Sequence, residues 1–238
     1  MADTTLTLRL TKGSQLTAQE LDDNFTALDS SIDSAAGSLL PNNNTWTGTN
    51  DFTNGLTSPG AGTNSFRAGL NAGQTSQGIS SVAVGVQAGQ TTQGDTSVAV
   101  GVNAGNSAQG IQSVAVGVNA GQTTQGKSAV AVGEAAGQTT QGENSVAVGF
   151  NAGQDTQGTN SVAVGQSAGN STQGINSVAV GVNAGNDTQG ESSVAVGQGA
   201  GKTTQGASSV AVGTVAGQTS QGTQSTAVGN LAGQTSQG

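Results

Sequence analysis

From Ser65 to Gly238 the chain repeats one pattern of apolar and polar positions every 16 residues, in eleven copies. The copy at Ser81 reads Ser-Val-Ala-Val-Gly, two variable residues, Ala-Gly, and a polar run closing on Gln93-Gly94. With that serine as slot 1, slots 5, 8, 9, 13 and 14 are Gly, Ala, Gly, Gln and Gly in every copy. Slots 2 and 4 are nearly always Val; Phe66 and Ala68 replace them in the first copy, and Thr226 replaces one in the last. Such a period marks a solenoid or fibre rather than a compact globule. Slots 2 to 4 alternate as a short strand, with Val82 and Val84 on one face and Ala83 on the other. Gly85 and Gly94 suit turns or a close approach of backbones. A second short strand runs through Gln90 to Gln93. Two strands and two turns predict one coil of a narrow parallel β-roll, rising about 4.8 Å per coil. The fold class is therefore mainly β, an elongated β-solenoid of 16-residue coils.

The same pattern assigns an inside and an outside. The valines Val82, Val84, Val98, Val100, Val114, Val116, Val146, Val148, Val162 and Val164 are predicted to form the shaft core. The amide column Gln93, Gln109, Gln125, Gln141, Gln157, Gln173, Gln189 and Gln205 is predicted to bond along the axis as a ladder. Charges avoid slots 1 to 5 in the regular copies and collect at slot 15 (Asp95, Lys127, Glu143, Glu191), so slots 6 and 15 are assigned to solvent. One thin roll has little to bury: two Val per coil are worth roughly 3 to 5 kcal/mol, against on the order of 16 to 30 kcal/mol of backbone entropy for 16 residues. That shortfall predicts a homotrimer of rolls.

Ahead of the repeats the pattern changes twice. In residues 1–38, Leu6, Leu8 and Leu10 alternate with polar residues as a half-buried strand. Thr17 with Glu20 then forms a capping box, and Leu21, Phe25, Leu28, Ile32 and Ala35 follow at spacings 4, 3, 4 and 3. That is a short coiled-coil-like helix, too short to be stable alone. Residues 39–64 are a linker with short strands around Trp46 and Phe52, and residues 65–238 are the shaft.

Composition narrows the function. Glycine is 40 of 238 residues, aromatics are 2% and charged residues 8%, which is neither a globular core nor a highly charged disordered chain. The formal charge is -8 and no basic patch exists, so no nucleic-acid partner is expected. The chain has no Cys and no His, which removes disulfides and the commonest general base and metal ligand. Neither a signal-peptide layout nor an apolar run of membrane-spanning length appears, which predicts assembly in the cytoplasm without membrane insertion.

Two families are resembled. Leu8-Arg9, Lys12-Gly13-Ser14-Gln15-Leu16-Thr17, Glu20-Leu21-Asp22, Asn24-Phe25 and Leu28 are similar to the N-terminal segment of phage tail-fibre and other virion appendage proteins. Asn44 to Asn50 is similar to spacer segments of such fibres. This resemblance implies attachment of the N-terminus to the virion, with Leu6, Leu8, Leu10, Leu21, Phe25, Leu28 and Ile32 in the attachment and trimer segment. The Ser-Val-Ala-Val-Gly and Ala-Gly core resembles the head repeats of trimeric autotransporter adhesins, which implies a left-handed trimeric β-roll. The period of 16 is slightly longer than usual there, and no secretion signal or membrane-anchor stretch accompanies it.

No catalytic, cofactor or metal site is expected. Ala200-Gly201-Lys202-Thr203-Thr204 lacks phosphate-loop spacing, and Lys202 replaces the Gln or Asn of sister repeats. Carboxylates occur one per coil or fewer, which gives no acid–base pair for glycan cleavage. The expected function is a structural fibre or spike of a phage virion, bound to tail or capsid proteins at one end and touching a host glycan or protein at the other. A bacterial trimeric surface adhesin and an ice- or glycan-binding solenoid are the alternatives, the last on the Thr/Ser column at slot 12 (Thr92, Thr124, Thr140). The sequence stops in mid-coil at Gln237-Gly238, so a covered or continued far end is expected.

Overall fold

The computed structural model describes residues 64–237, all within one unit, Asn54–Gly238. They form a parallel β-solenoid with one 16-residue repeat per turn. The expected N-terminal strand, the helix through Leu21, Phe25, Leu28 and Ile32, and the linker strands at Trp46 and Phe52 lie outside the described residues.

Each of the first ten coils contributes two strands, and the eleventh contributes the longer one, with Gln237 joined to Gln221 by a single bridge. Slots 2 to 4 give three-residue strands, from Phe66–Ala68 to Thr226–Val228, stacked in one eleven-stranded parallel sheet. Slots 12 and 13 give two-residue strands, from Ser76–Gln77 to Ser220–Gln221, stacked in a ten-stranded sheet. The register is a strict shift of one repeat: Val146 pairs Val162, Ala147 pairs Ala163, and Gln157 pairs Gln173.

The turns are stacked as firmly as the strands. Val146 N–H donates to the Ser161 carbonyl at 2.9 Å, and Gly165 N–H donates back to the Val148 carbonyl at 2.8 Å. In the first turn Asn151 N–H donates to the Glu134 carbonyl at 3.0 Å, and Gly153 N–H to the Ala168 carbonyl at 2.9 Å. In the second, Asn160 N–H donates to the Glu143 carbonyl at 2.9 Å. Buried backbone groups must be paired, and here the neighbouring coil is the main partner in strands and turns alike, while the slot-8 N–H turns inward to its own coil, as Ala152 does to the Gly149 carbonyl at 3.3 Å.

Two constant glycines follow from that stacking, and a third from the packing inside a coil. Gly149 has φ +130, and an added Cβ would lie 2.7 Å from the Gly165 carbonyl oxygen of the next coil. Gly153 has φ +53, and a Cβ there would strike the Gln157 side chain at 2.8 Å. Gly158 has no unusual φ; only space constrains it, because a Cβ would lie 2.6 Å from Gly174 backbone. Slots 7 and 16 also sit at positive φ, yet carry Asn, Ser, Gln and even Val215 and Leu231. The left-handed region tolerates single side chains, Asn best.

The interior reverses the predicted faces. Ala83 and Ala88, with their equivalents in the regular coils, are the buried hydrophobic cluster; the first coil adds Ala72 but carries Arg67 at the slot of Ala83. Ser97, Ser113 and the Gln column are buried with them. Val82, Val84, Val98, Val100, Val114, Val116, Val146, Val148, Val162 and Val164 are half-buried and face outward, so they are not the core of the coil. The physical reason is width. Strand parity allows either face inward, and a roll closed by two short turns leaves room between its sheets only for Ala, Ser and one Gln.

The glycine geometry gives a paired test. Gly158→Ala should cost about 3 kcal/mol, because the clash is with backbone that has no room to move. Gly199→Asn should change stability by about 0.5 kcal/mol or less, since φ is +63 and the nearest atom to an added Cβ lies 3.7 Å away. Thermal melting of the two variants against the parent checks the contrast.

Candidate functional site

The Gln column lies inside the roll, and its main bond runs across the coil rather than along the axis. Gln157 Nε2 donates to the Val146 carbonyl at 2.7 Å, joining the short strand to the long one. The same strut recurs as Gln93 to Val82, Gln109 to Val98, Gln125 to Val114, Gln141 to Val130, Gln173 to Val162, Gln189 to Val178 and Gln205 to Val194, each at 2.7 Å. Axial amide bonds within this column join Gln125 to Gln141 at 3.1 Å and Gln205 to Gln221 at 3.2 Å. The predicted ladder is thus only partly formed there, because each amide nitrogen is drawn to the opposite strand's carbonyl.

Slot 1 closes the same interior. Ser161 Oγ donates to the Gly158 carbonyl at 2.6 Å, and Ser145 does the same to Gly142. Longer amide ladders run instead on the surface at slot 10. Asn170 Nδ2 donates to Gln154 Oε1 at 3.0 Å, Gln154 to Gln138 at 3.0 Å, and Gln138 to Gln122 at 2.9 Å. Sequence reasoning passed over these, although the restriction of slot 10 to Gln and Asn in ten of eleven copies was the available signal.

With the polar interior full, two outer faces remain. On the short-strand sheet Thr124, Thr140, Thr156, Thr172, Thr188 and Thr204 are exposed and stacked in register. Ala108 interrupts that hydroxyl column, and Asp155 and Asp187 flank it at slot 11. On the long-strand sheet the valines of slots 2 and 4 form a double ridge along every regular coil. No charged residue occupies slot 2 or 4 anywhere. Beside the ridge, at slot 6, Val86, Val102, Val118, Phe150 and Val182 are each 41–47% exposed. Glu134 and Gln166 interrupt that slot-6 column; isolated exposed apolar residues need no explanation, but the unbroken valine pairs of slots 2 and 4 do.

Four stretches match the family model of the YadA head domain repeat, taken two copies at a time: residues 76–104, 93–120, 125–152 and 157–184. The repeat is adhesin-head-like. No curated protein and no solved structure matches the chain. Nothing in these comparisons supports the tail-fibre resemblance of the N-terminal segment. Among the described residues, no three His, Cys, Asp or Glu side chains come together, and no helix is long and apolar enough to cross a membrane.

The strut is testable through one position. Gln157→Leu removes the donor to the Val146 carbonyl and should cost about 1 to 3 kcal/mol. In Gln157→Glu the introduced carboxylic acid is buried, which raises its folded-state pKa above the unfolded value of about 4.3. Protonated, it can donate as the amide does, so this variant should approach the parent below about pH 4 and lose stability as pH rises. Melting curves of parent and variants at matched pH check both the size and the sign.

Proposed function

We propose that this chain is a structural subunit of an adhesin-like fibre, in which three copies pack their valine faces around a common axis. The observation that carries this reading is the uncharged valine ridge, left facing outward along a roll whose own interior is already full. Three further points support it. The matched repeats belong to a head family that is trimeric. A thin roll of alanines and amides buries little apolar surface on its own, so the missing hydrophobic contribution must come from the outer valines. Such a ridge on a lone subunit would also invite uncontrolled association.

In this reading the protein works mechanically rather than catalytically. Stacked coils make a rigid rod that holds a contact surface at a distance. The hydroxyl face, with Asp155 and Asp187 beside it, lies on the short-strand sheet rather than the valine-bearing one and stays open to partners of the fibre. A virion fibre would rest on residues 8–28 and 44–50 alone, which lie outside the described residues, so the surface-adhesin reading is the better supported of the two.

Light scattering of the purified chain should give a mass near three times 22.8 kDa. Val148→Asp with Val164→Asp should leave the β-roll folded, because both side chains point outward, but should release monomers. A β-sheet circular dichroism spectrum retained at monomer mass is the expected result. A parent chain that is itself monomeric would sink the proposal.

A further inference from the structure

The valine ridge poses a problem that its regularity cannot solve. Nine successive coils, from Val82–Val84 to Val210–Val212, present the same valine pair in the same register. The pairs repeat about every 4.8 Å. A periodic ridge of this kind fits best against another ridge with the same axial period, and a copy of this chain supplies one. Yet a copy displaced by one coil gives up one pair and regains all the others. Repetitive faces specify register weakly. Something outside the nine coils must align the copies.

Only the two end coils depart from the pattern on this ridge. At the far end Thr226 replaces Val, a change of one methyl for one hydroxyl at nearly constant shape. The first coil differs much more. Phe66 stands at slot 2 and Ala68 at slot 4, a large and a small side chain where every regular coil has two of middle size. The backbone there is nevertheless regular, with Phe66 paired to Val82 and Ala68 to Val84. Phe66 N–H donates to the Ser81 carbonyl at 2.9 Å, and Gln77 Nε2 donates to the Phe66 carbonyl at 2.9 Å. Between them, at the inward slot 3, Arg67 reaches the Gly73 carbonyl at 3.2 Å through Nη1 and ties that coil together. Phe66 is therefore held on the ridge itself, half-buried, in line with the valines.

We propose that Phe66, with Ala68 beside it, is the register mark of the assembly: it aligns the copies coil for coil. This deepens the three-copy reading and rests on it. In register, Phe66 meets Phe66 and the space left by Ala68 meets its own equivalent. One coil out of register, the ring meets the Val82–Val84 pair of another copy, and either an overlap or a void results. Close-packed interfaces discriminate such shapes, and a single odd position suffices to fix register among many equivalent ones.

The chain has no native cysteine, so engineered pairs report register directly. Two differently tagged full-length chains are co-expressed. Both carry Val180→Cys, to report same-coil contact, or one carries Val180→Cys and the other Val196→Cys, to report a one-coil offset. A disulfide needs Cα atoms about 4.4 to 6.8 Å apart, a window that a 4.8 Å slip leaves. In the parent only the same-coil pair should cross-link between tags. In Phe66→Val/Ala68→Val the offset pair should cross-link too, in comparable yield. Those substitutions install what the regular coils already carry, so the roll should still fold. Adding Val146→Phe and Val148→Ala to that variant moves the mark to another coil and should restore same-coil cross-linking alone. The proposal fails if the offset pair stays unlinked after Phe66 and Ala68 are replaced, if it already links in the parent, or if the moved mark restores nothing. A parent with no cross-link at monomer mass overturns the three-copy reading instead.

Discussion

The whole roll depends on the backbone hydrogen bonds between one coil and the next. They run through the strands and, just as regularly, through both turns, as with Asn151 to Glu134 and Asn160 to Glu143. Each coil must therefore trace the same path as its neighbours at strand spacing. That demand explains two of the constant glycines, and the glutamine strut explains the third. Gly149 and Gly158 stand where two backbones approach too closely for a Cβ, and Gly153 stands over the amide of Gln157. At slot 7, also at positive φ, the residue type varies from Asn to Val215 and Leu231, whereas slot 16 keeps to Ser, Thr, Asn and Gln.

A second constraint follows from the first. Coils that close in so few residues leave a thin interior, filled by alanines, the serine hydroxyl and one glutamine strut. The larger apolar side chains then have nowhere to go but out. In an ordinary globular fold the strongest hydrophobic residues define the inside; here they line the outer face of the long-strand sheet. The proposed three-copy fibre would tie stability to assembly, and that reading grows from the outward valines rather than from any pocket.

The period, the two strands, the two turns and the parallel stacking could all be read from the repeat. Which strand face points inward could not. Val-Ala-Val offers two parities, and constancy from copy to copy marks Val82, Ala83 and Gln93 alike, whether a residue is wrapped inside a coil or left on its outer face. Size was the missing criterion: a coil of this length admits Ala83 between its sheets and not Val82. The glutamine column was recognisable as structural, but its bond to the Val146 carbonyl depends on the distance between the two sheets, which no sequence position encodes. The slot-10 ladder was overlooked because Gln and Asn there look like ordinary solvated surface. The assignments made on residues 1–63 concern a part of the chain outside the described structure.

The strictly local bonding has one more consequence. Because each coil is bonded to the coils before and after it, and those coils are alike, removing or inserting one whole repeat rejoins both sheets without a mismatch. The gene can therefore lengthen or shorten the rod by duplication or loss of 48 nucleotides, three for each of the 16 residues in a repeat. Any change that is not a multiple of a coil would throw every later alanine and glutamine out of its column. In the fibre proposed above, the length of the roll would change in discrete steps of one coil, about 4.8 Å each.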